Sequence, residues 1–280
     1  MSTDTRPSRI NVMEFAGKAH LLGVVRSERA AFYDLIDGAV DGEWEASTPC
    51  GEWQVRDLVG HMVDVTEAYL ERFGLARAGK PAPEALGLRV MPKLLDEGAR
   101  RFRAVPRAQI IARLKGASDE MFGLFDKLDA QQWGGEMVAH VYMGPVPACF
   151  YPAFQLMDYS VHGWDAREAL GRSAPIPEDA AGTLIPFMFI LLQATLAAER
   201  AEGLACTCGI RVSGVYGGSW RVSVAGGALS YEEGGIDDCP ATFSFDASDF
   251  VLTCFQRLSG GLVSGDNALA ERFRGLFFKI

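Results

Sequence analysis

The sequence predicts a four-helix bundle followed by a small α+β domain, and three observations carry that prediction. Apolar residues recur at helical spacing between positions 14 and 170. A Pro-rich break, Ser173-Ala-Pro-Ile-Pro177, then interrupts the pattern. Beyond it, short stretches of apolar/polar alternation are separated by Gly-rich turns. A chain of 280 residues has room for two cores, with boundaries expected at 1–172 and 178–280.

The elements follow in order. Glu14 to Ile36 places Phe15, Leu22, Val25, Ala30, Tyr33 and Ile36 at helical spacing, and a Gly- and Pro-containing loop runs from Asp37 to Glu52. A second helix is expected from near Trp53 to about Ala76, with Val55, Leu58, Val59, Met62, Val65 and Tyr69 on one side. Asp57, Asp64 and Glu71 fall largely on its other side. Leu86 to Leu128 reads as one or two helices interrupted near Pro106. The cluster Arg100, Arg101, Arg103 within it is read as a solvated face. Residues 129–147 hold too much Gly and Pro for a continuous helix, and the fourth helix is expected from Ala148 to Leu170, stopped by Gly171. Four main helices with one long connection suit a bundle with a crossover.

After the linker, Glu178 to Ala201 reads as a helix. Ile210–Ser213, Ser219–Val224 and Ala241–Phe245 alternate as strands of a mostly antiparallel sheet. Two short helices, Ser248–Arg257 and Asn267–Phe277, close the chain, with Ser248 and Asp266 at the N-cap positions.

Composition narrows the function classes. A net charge of −9 without a long basic run argues against nucleic acid or an anionic membrane as partner. The N-terminal MSTDTRPSRINVMEFAGK lacks the apolar core of a signal peptide. The longest apolar stretch, Thr183 to Leu192, is about ten residues with Pro186 inside, against roughly 20 for a membrane span. A cytoplasmic protein is expected, acting on a small molecule as monomer or homodimer. Six scattered cysteines form no CxxC pairs, so a structural zinc ribbon is not expected. Cys206 and Cys208 read as half-buried strand residues on one face.

Chemistry concentrates on few residues, since the chain has only four histidines: His20, His61, His140 and His162. Asp158 and His162 are four apart and share a helix face, so one cation can meet both. His61 is flanked by Val55, Leu58, Met62 and Val65, which turn it inward. Two imidazoles and a carboxylate make a common three-ligand set for a catalytic metal with open positions, although Asp/His pairs are also frequent as plain hydrogen bonds. Asp57, one turn before His61, could orient its ring, but a helix N-terminal charge is the preferred reading. Asp165 is expected to tie the fourth helix to the loop carrying Trp53. Trp53, Tyr159 and Trp164 could wall a pocket or simply pack the core, and His140 in the crossover could reach the mouth of the site, but an exposed loop residue is the preferred reading.

Two long segments carry a family resemblance. Trp44-x3-Thr48-Pro49-Cys50-Gly51-Glu52-Trp53-x-Val55-Arg56-Asp57-Leu58-Val59-x-His61 and Asp158-x3-His162-Gly163-Trp164-Asp165 resemble the paired motifs of the DinB-like, mycothiol-dependent maleylpyruvate isomerase family of actinobacteria. The resemblance covers roughly residues 10–172. It implies a divalent metal, usually zinc, held by His61, Asp158 and His162, and mycothiol or another low-molecular-weight thiol as co-substrate. Asp158 departs from the family, which has Glu there. The implied activity is metal-dependent isomerisation or thiol transfer, in which the metal polarises a carbonyl or lowers the pKa of a thiol. Residues 178–280 resemble, more loosely, sterol-carrier-protein-2-like domains, mainly through the Gly265-Asp266 turn and the helix after it. That resemblance implies helices layered on a sheet around an apolar cavity, suited by Phe250, Phe255, Phe273, Phe277 and Phe278. The competing readings are a metal-free ligand-binding protein and a secondary-metabolism cyclase or isomerase that uses an apolar pocket.

Overall fold

The computed structural model describes residues 10–280, so the expectations for the first nine residues lie outside the described part. The chain divides into two compact units, Ile10–Ala174 and Pro175–Ile280.

The first unit is helical. A 3-10 turn, Phe15–Gly17, leads into α1 (Lys18–Gly38), so the helix proper starts later than Glu14. A short α2 (Asp41–Trp44) precedes α3 (Val55–Arg77), α4 (Met91–Arg100) and α5 (Arg107–Lys127). The region expected as one or two helices is therefore two, and the first begins at Met91 rather than Leu86. Pro81, Pro83 and the left-handed Gly87 (φ 82°) keep the preceding stretch extended. Pro106 stands directly before α5, where its missing N–H is harmless.

The Gly/Pro-rich crossover contains α6 (Ala130–Gly135) and a hairpin of β1 (Met137–His140) and β2 (Gly144–Pro147). The hairpin pairs Val138 with Val146 and His140 with Gly144. Next, α7 (Phe150–Ala169) ends at Leu170, with Gly171 in the left-handed region (φ 65°) that terminates a helix. The four long helices form a ring in which α1 packs on α7 and α5, and α3 packs on α5 and α7. Their core includes Phe32, Leu58, Met62, Phe73, Phe125 and Leu156.

In the second unit α8 (Glu178–Thr195) ends earlier than Ala201. Its last turn competes with the C-terminal tail: Phe278 N–H donates to Thr195 O at 3.0 Å, and Ala197 N–H to Leu276 O at 2.8 Å. A short α9 (Ala198–Ala201) follows. Then come β3 (Cys206–Val212), β4 (Gly218–Ala225), β5 (Ala228–Glu233), β6 (Ala241–Phe245), α10 (Ala247–Cys254), β7 (Leu262–Gly265) and α11 (Asn267–Arg274). The sheet order is β5-β4-β3-β6-β7, antiparallel except for the parallel β3/β6 pair, and α8, α10 and α11 pack on it. β5 and β7 add two strands to the three expected. Cys208 is buried in β3, and that burial pushes its thiol up to about 12.

Asp266 caps α11, accepting from Leu269 N–H at 3.0 Å. The cap of α10 is Asp246, which accepts from Asp249 N–H, and not Ser248. Ser248 lies inside the helix and instead receives the linker's Ile176 N–H at 2.9 Å. Among the described residues no helix is long and apolar enough to cross a membrane.

Candidate metal centre

The site starts from a tight loop before α3. Thr48 N–H and its hydroxyl both donate to Trp53 O, at 2.8 and 3.0 Å, and Cys50 N–H donates to Thr48 Oγ1. The loop thereby delivers Trp53 to the first turn of α3. Asp57, at the third position of that helix, accepts Gln54 N–H at 2.9 Å. It also receives both arms of Arg103, at 2.8 and 2.6 Å. Burial alone would raise the Asp57 carboxyl, but these bonds hold it below the usual carboxylate range. Asp57 is thus a helix cap and ion-pair partner, as preferred, and does not orient His61.

The basic cluster lies on a solvated face, as expected, and is ion-paired there: Arg100 with Asp96, Arg101 with Asp64 and Arg103 with Asp57. Acids on the α3 surface facing α4 supply two of these partners. The helices come close at Gly60, where a Cβ would sit 2.3 Å from Ala99 O. That approach lets Asp96 accept from Trp53 Nε1–H at 2.8 Å, which locks the indole.

Further along α3 and α7, three side chains converge. His61, Asp158 and His162 each offer one ligand atom, all within 4.8 Å of one another. His61 Nε2 lies 3.6 Å from Asp158 Oδ1, and the two imidazole centroids are 4.8 Å apart. Both rings are buried, whereas the Asp158 side chain keeps 19% of its exposure and marks the open side. Trp53 packs against both, at 5.1 Å from His61 and 5.7 Å from His162. His61 Nδ1 and Asp158 Oδ2 are buried without a hydrogen-bond partner. A buried carboxylate oxygen with no donor beside two imidazoles fits a cation better than it fits an empty hydrogen-bond network.

Asp165 stands beside the loop that carries Trp53, its carboxylate within 4.8 Å of Cys50 Sγ. Fully buried one turn beyond His162, it meets His162 Nδ1 at 2.9 Å through Oδ2, which leaves Nε2 as the ring atom for the cluster. The role weighed for Asp57 at His61 is therefore filled by Asp165 at His162.

The aromatic residues divide. Tyr159 faces α1 and α5, touching Phe32 and bonding Ser118 at 3.0 Å, so it is core and not pocket wall. Trp164 is buried on α7.

His140 is not an exposed loop residue. Tyr69, Tyr151 and Phe154 enclose it, with ring centroids 5.8, 6.3 and 5.0 Å away. Burial pulls its pKa down to about 4, against the opposing charge of Asp158 and with the help of Arg72. Its Nδ1 accepts Tyr142 N–H at 3.3 Å, so the neutral ring carries its proton on Nε2. His20 remains on α1, outside the cluster.

Sequence reasoning assigned nothing to Cys50, which forms a second group with His162 and Asp165 within 4.8 Å. Its signal was its position inside the Thr48–Trp53 motif.

A helical bundle whose two site-bearing helices, α3 and α7, present a buried His–His–Asp cluster defines a class of bundle proteins with a candidate cation site. Residues 25–167, just over half of the chain, match the family model "Mycothiol maleylpyruvate isomerase N-terminal domain". The chain belongs to that family, and all three cluster residues lie within the match. Among solved structures, a mycothiol-dependent maleylpyruvate isomerase is similar with a TM-score of 0.59 and 13% identity, over 88% of this chain and 92% of that one. A mutant of that enzyme gives 0.60 at the same identity and coverage. At this identity the likeness is one of fold, and it identifies the helical unit as DinB-like. No curated protein sequence matches significantly.

Proposed function

We propose that the chain is a metal-dependent isomerase that uses mycothiol or a related low-molecular-weight thiol on a small organic substrate. One observation carries the reading: two buried imidazoles and a half-buried carboxylate with a buried, unpartnered oxygen converge within a single cation's reach. Two ligands at 2.0–2.1 Å from a tetrahedral zinc ion lie roughly 3.3 Å apart. The 3.6 Å between His61 Nε2 and Asp158 Oδ1 is close to that. The aspartate is therefore long enough to serve where the family has glutamate, because α3 and α7 bring it within reach.

When bound, the metal supplies Lewis acidity and lowers the pKa of a thiol. The protein's own part is positional. Asp165 holds His162 in the tautomer that presents Nε2, Trp53 covers both imidazoles against water, and Asp158 stands at the open side. Isomerisation is preferred to thiol transfer because it is the activity named for the family and for the structural relative.

The test is elemental analysis of the protein purified without added metal, beside His61→Ala and His162→Ala. We expect about one equivalent of a divalent ion, zinc first, lost in both variants. Maleylpyruvate isomerisation with mycothiol should fall ~10³-fold in each, as loss of several kcal/mol of metal stabilisation requires. No metal after incubation with zinc, nickel or iron would sink this reading and favour a metal-free ligand-binding protein.

A further inference from the structure

Cys206 and Cys208 have no part in the proposed reaction, yet the sheet gathers reactive side chains around them. Strands β3, β6 and β7 are neighbours, with Cys208 opposite Ala241 and Ala241 opposite Gly265. Their aligned ends bring Cys206 and Cys208 of β3, Cys239 just before β6 and Asp266 just after β7 to one corner of the sheet. Asp266 N–H donates to Pro240 O at 2.8 Å, which ties two of those ends together. Three of the chain's six cysteines stand at this corner, and all three are thiols.

Two of them share a face. Side chains alternate along a strand, so Cys206 and Cys208 project to the same side of β3. It is the inner side: their partners on β4 are Val224 and Val222, and Cys208 and Ala241 are fully buried. Helix α11 packs over it, with Phe273 lying 5.6 Å from Phe243, the next β6 residue on that face. Burial raises both thiols, and the two lie within hydrogen-bonding reach of each other. After burial, Cys206 acts on the Cys208 thiol more strongly than Cys239 or Asp266 does. Cys206 is only half-buried, so the pair is reached from its side, where the charge it feels most is Arg272 of α11.

The strand limits what this pair can become. Successive same-face residues of a strand stand about 6.6 Å apart at Cα and at Cβ. A disulfide needs Cβ atoms about 3.8 Å apart. Closing one would pull β3 out of its pairing with β4 on one side and β6 on the other. A shared metal ion asks for less. Two thiolates at about 2.3 Å from one ion lie roughly 3.8 Å apart in a tetrahedral site and 4.6 Å apart when they stand opposite each other. The side chains span that gap while the backbone stays in place. Zinc calls for four ligands, whereas the face around the pair presents Val222, Val224 and Ala241. A soft monovalent ion prefers thiolate sulfur and is satisfied by two such ligands.

We propose that Cys206 and Cys208 form a two-coordinate site for a soft monovalent cation of the copper(I) type. Each thiol releases its proton to solvent and gives a sulfur lone pair to the ion, whose oxidation state does not change. The neutral dithiol and the cation thus become a bis-thiolate complex of net charge −1, which the Arg272 guanidinium offsets. The site is independent of the His61/Asp158/His162 cluster, which offers nitrogen and oxygen to a harder ion.

The test is anaerobic titration of the full, reduced chain with the coloured copper(I)–bicinchoninate complex, which bleaches as the protein takes the ion. We expect one equivalent to be withdrawn. Cys206→Ser and Cys208→Ala should each weaken this at least 100-fold, while Cys239→Ser, Cys50→Ser and His61→Ala should withdraw copper like the parent chain. Silver(I) should compete for the site and zinc should not. Because Cys208 is fully buried, the half-buried Cys206→Ser is the variant that reports binding without loss of core, and its metal-free thermal unfolding should match the parent. Parent-like withdrawal by Cys206→Ser, loss in Cys50→Ser or Cys239→Ser, displacement of the copper by zinc, or no withdrawal from the chelator would each overturn the proposal.

Discussion

The two units bury different chemistry. Buried acids and imidazoles, namely Glu28, Asp57, His61, His140, His162 and Asp165, all lie in the helical unit. The α/β unit buries only Thr183, Thr195 and Ser248 among polar residues, and its interior is otherwise aliphatic and aromatic. Unpartnered buried atoms among the described residues follow the same division: His61 Nδ1, Arg72 Nη1, Gln155 Oε1, Asp158 Oδ2, Ser160 Oγ and Arg167 Nε and Nη2 lie in the bundle, against Arg274 Nε in the α/β unit. Each such atom costs about 1–3 kcal/mol when left unsatisfied. A fold that tolerates several in one region has kept some of them for something other than stability, and two of these bundle atoms, His61 Nδ1 and Asp158 Oδ2, belong to the cation cluster. The α/β unit, with its aliphatic and aromatic core, instead leaves a partly open cavity of about 390 Å³.

This contrast predicts that the α/β unit responds most to lost packing. Phe189 is buried among Trp220, Tyr231 and Phe250, at 4.9, 4.7 and 5.3 Å. Phe189→Ala should cost about 3–5 kcal/mol in denaturant unfolding, with metal content unchanged. A smaller loss would mean that this core is looser than its rings imply.

The bundle should respond to acid. His140 has a folded pKa of about 4 against an ordinary 6.5, so between those values the unfolded chain binds more protons. Stability attributable to this residue is therefore intact near neutral pH and falls as pH drops from 6.5 toward 4, by about 3 kcal/mol. His140→Gln keeps an acceptor for Tyr142 N–H and has no such titration. Variant and parent should be alike at pH 7, and the variant should lose less on acidification. Parallel unfolding curves from pH 7 to pH 4 would show that His140 is not held neutral.

Local pattern made part of this legible. The four-residue spacing of Asp158 and His162 declares a shared face and apolar neighbours turn His61 inward, but joining the three into one cluster took the family resemblance of the two motifs that carry them. Caps were readable where an acid stands three residues before a free helical N–H, as at Asp266, but Asp246 competes with Ser248 by only two positions, and propensity alone does not separate them. What stayed hidden depends on distant partners. The burial of His140 comes from Tyr69 on α3 and Tyr151 and Phe154 on α7. The end of α8 is set by the tail at Leu276 and Phe278, and the parallel partner of β3 is β6, some thirty residues away. The hairpin of β1 and β2 is only four residues a side, too short for alternation to stand out among its glycines and prolines.

Two fully buried aspartates on the site helices sharpen the comparison inside the bundle itself. Asp57 and Asp165 are equally hidden, yet one meets Arg103 and a backbone N–H while the other meets His162. Asp57→Asn should lose about 2 kcal/mol of stability at neutral pH, since charge-assisted bonds to a partly exposed arginine are at stake. Because the folded carboxyl titrates below its unfolded value, that loss should shrink as pH falls below the carboxylate range. Its zinc affinity should stay that of the parent chain. Asp165→Asn should do the reverse, weakening zinc roughly 10–100-fold, as loss of a histidine's orienting carboxylate does, while stability without metal changes less. Competition with a chelator reads the affinity and denaturant unfolding reads the stability. If both variants lost stability alone, the His162–Asp165 pair would be a structural hydrogen bond, and the convergence of imidazoles and carboxylate would lose its strongest support as a place built for a cation.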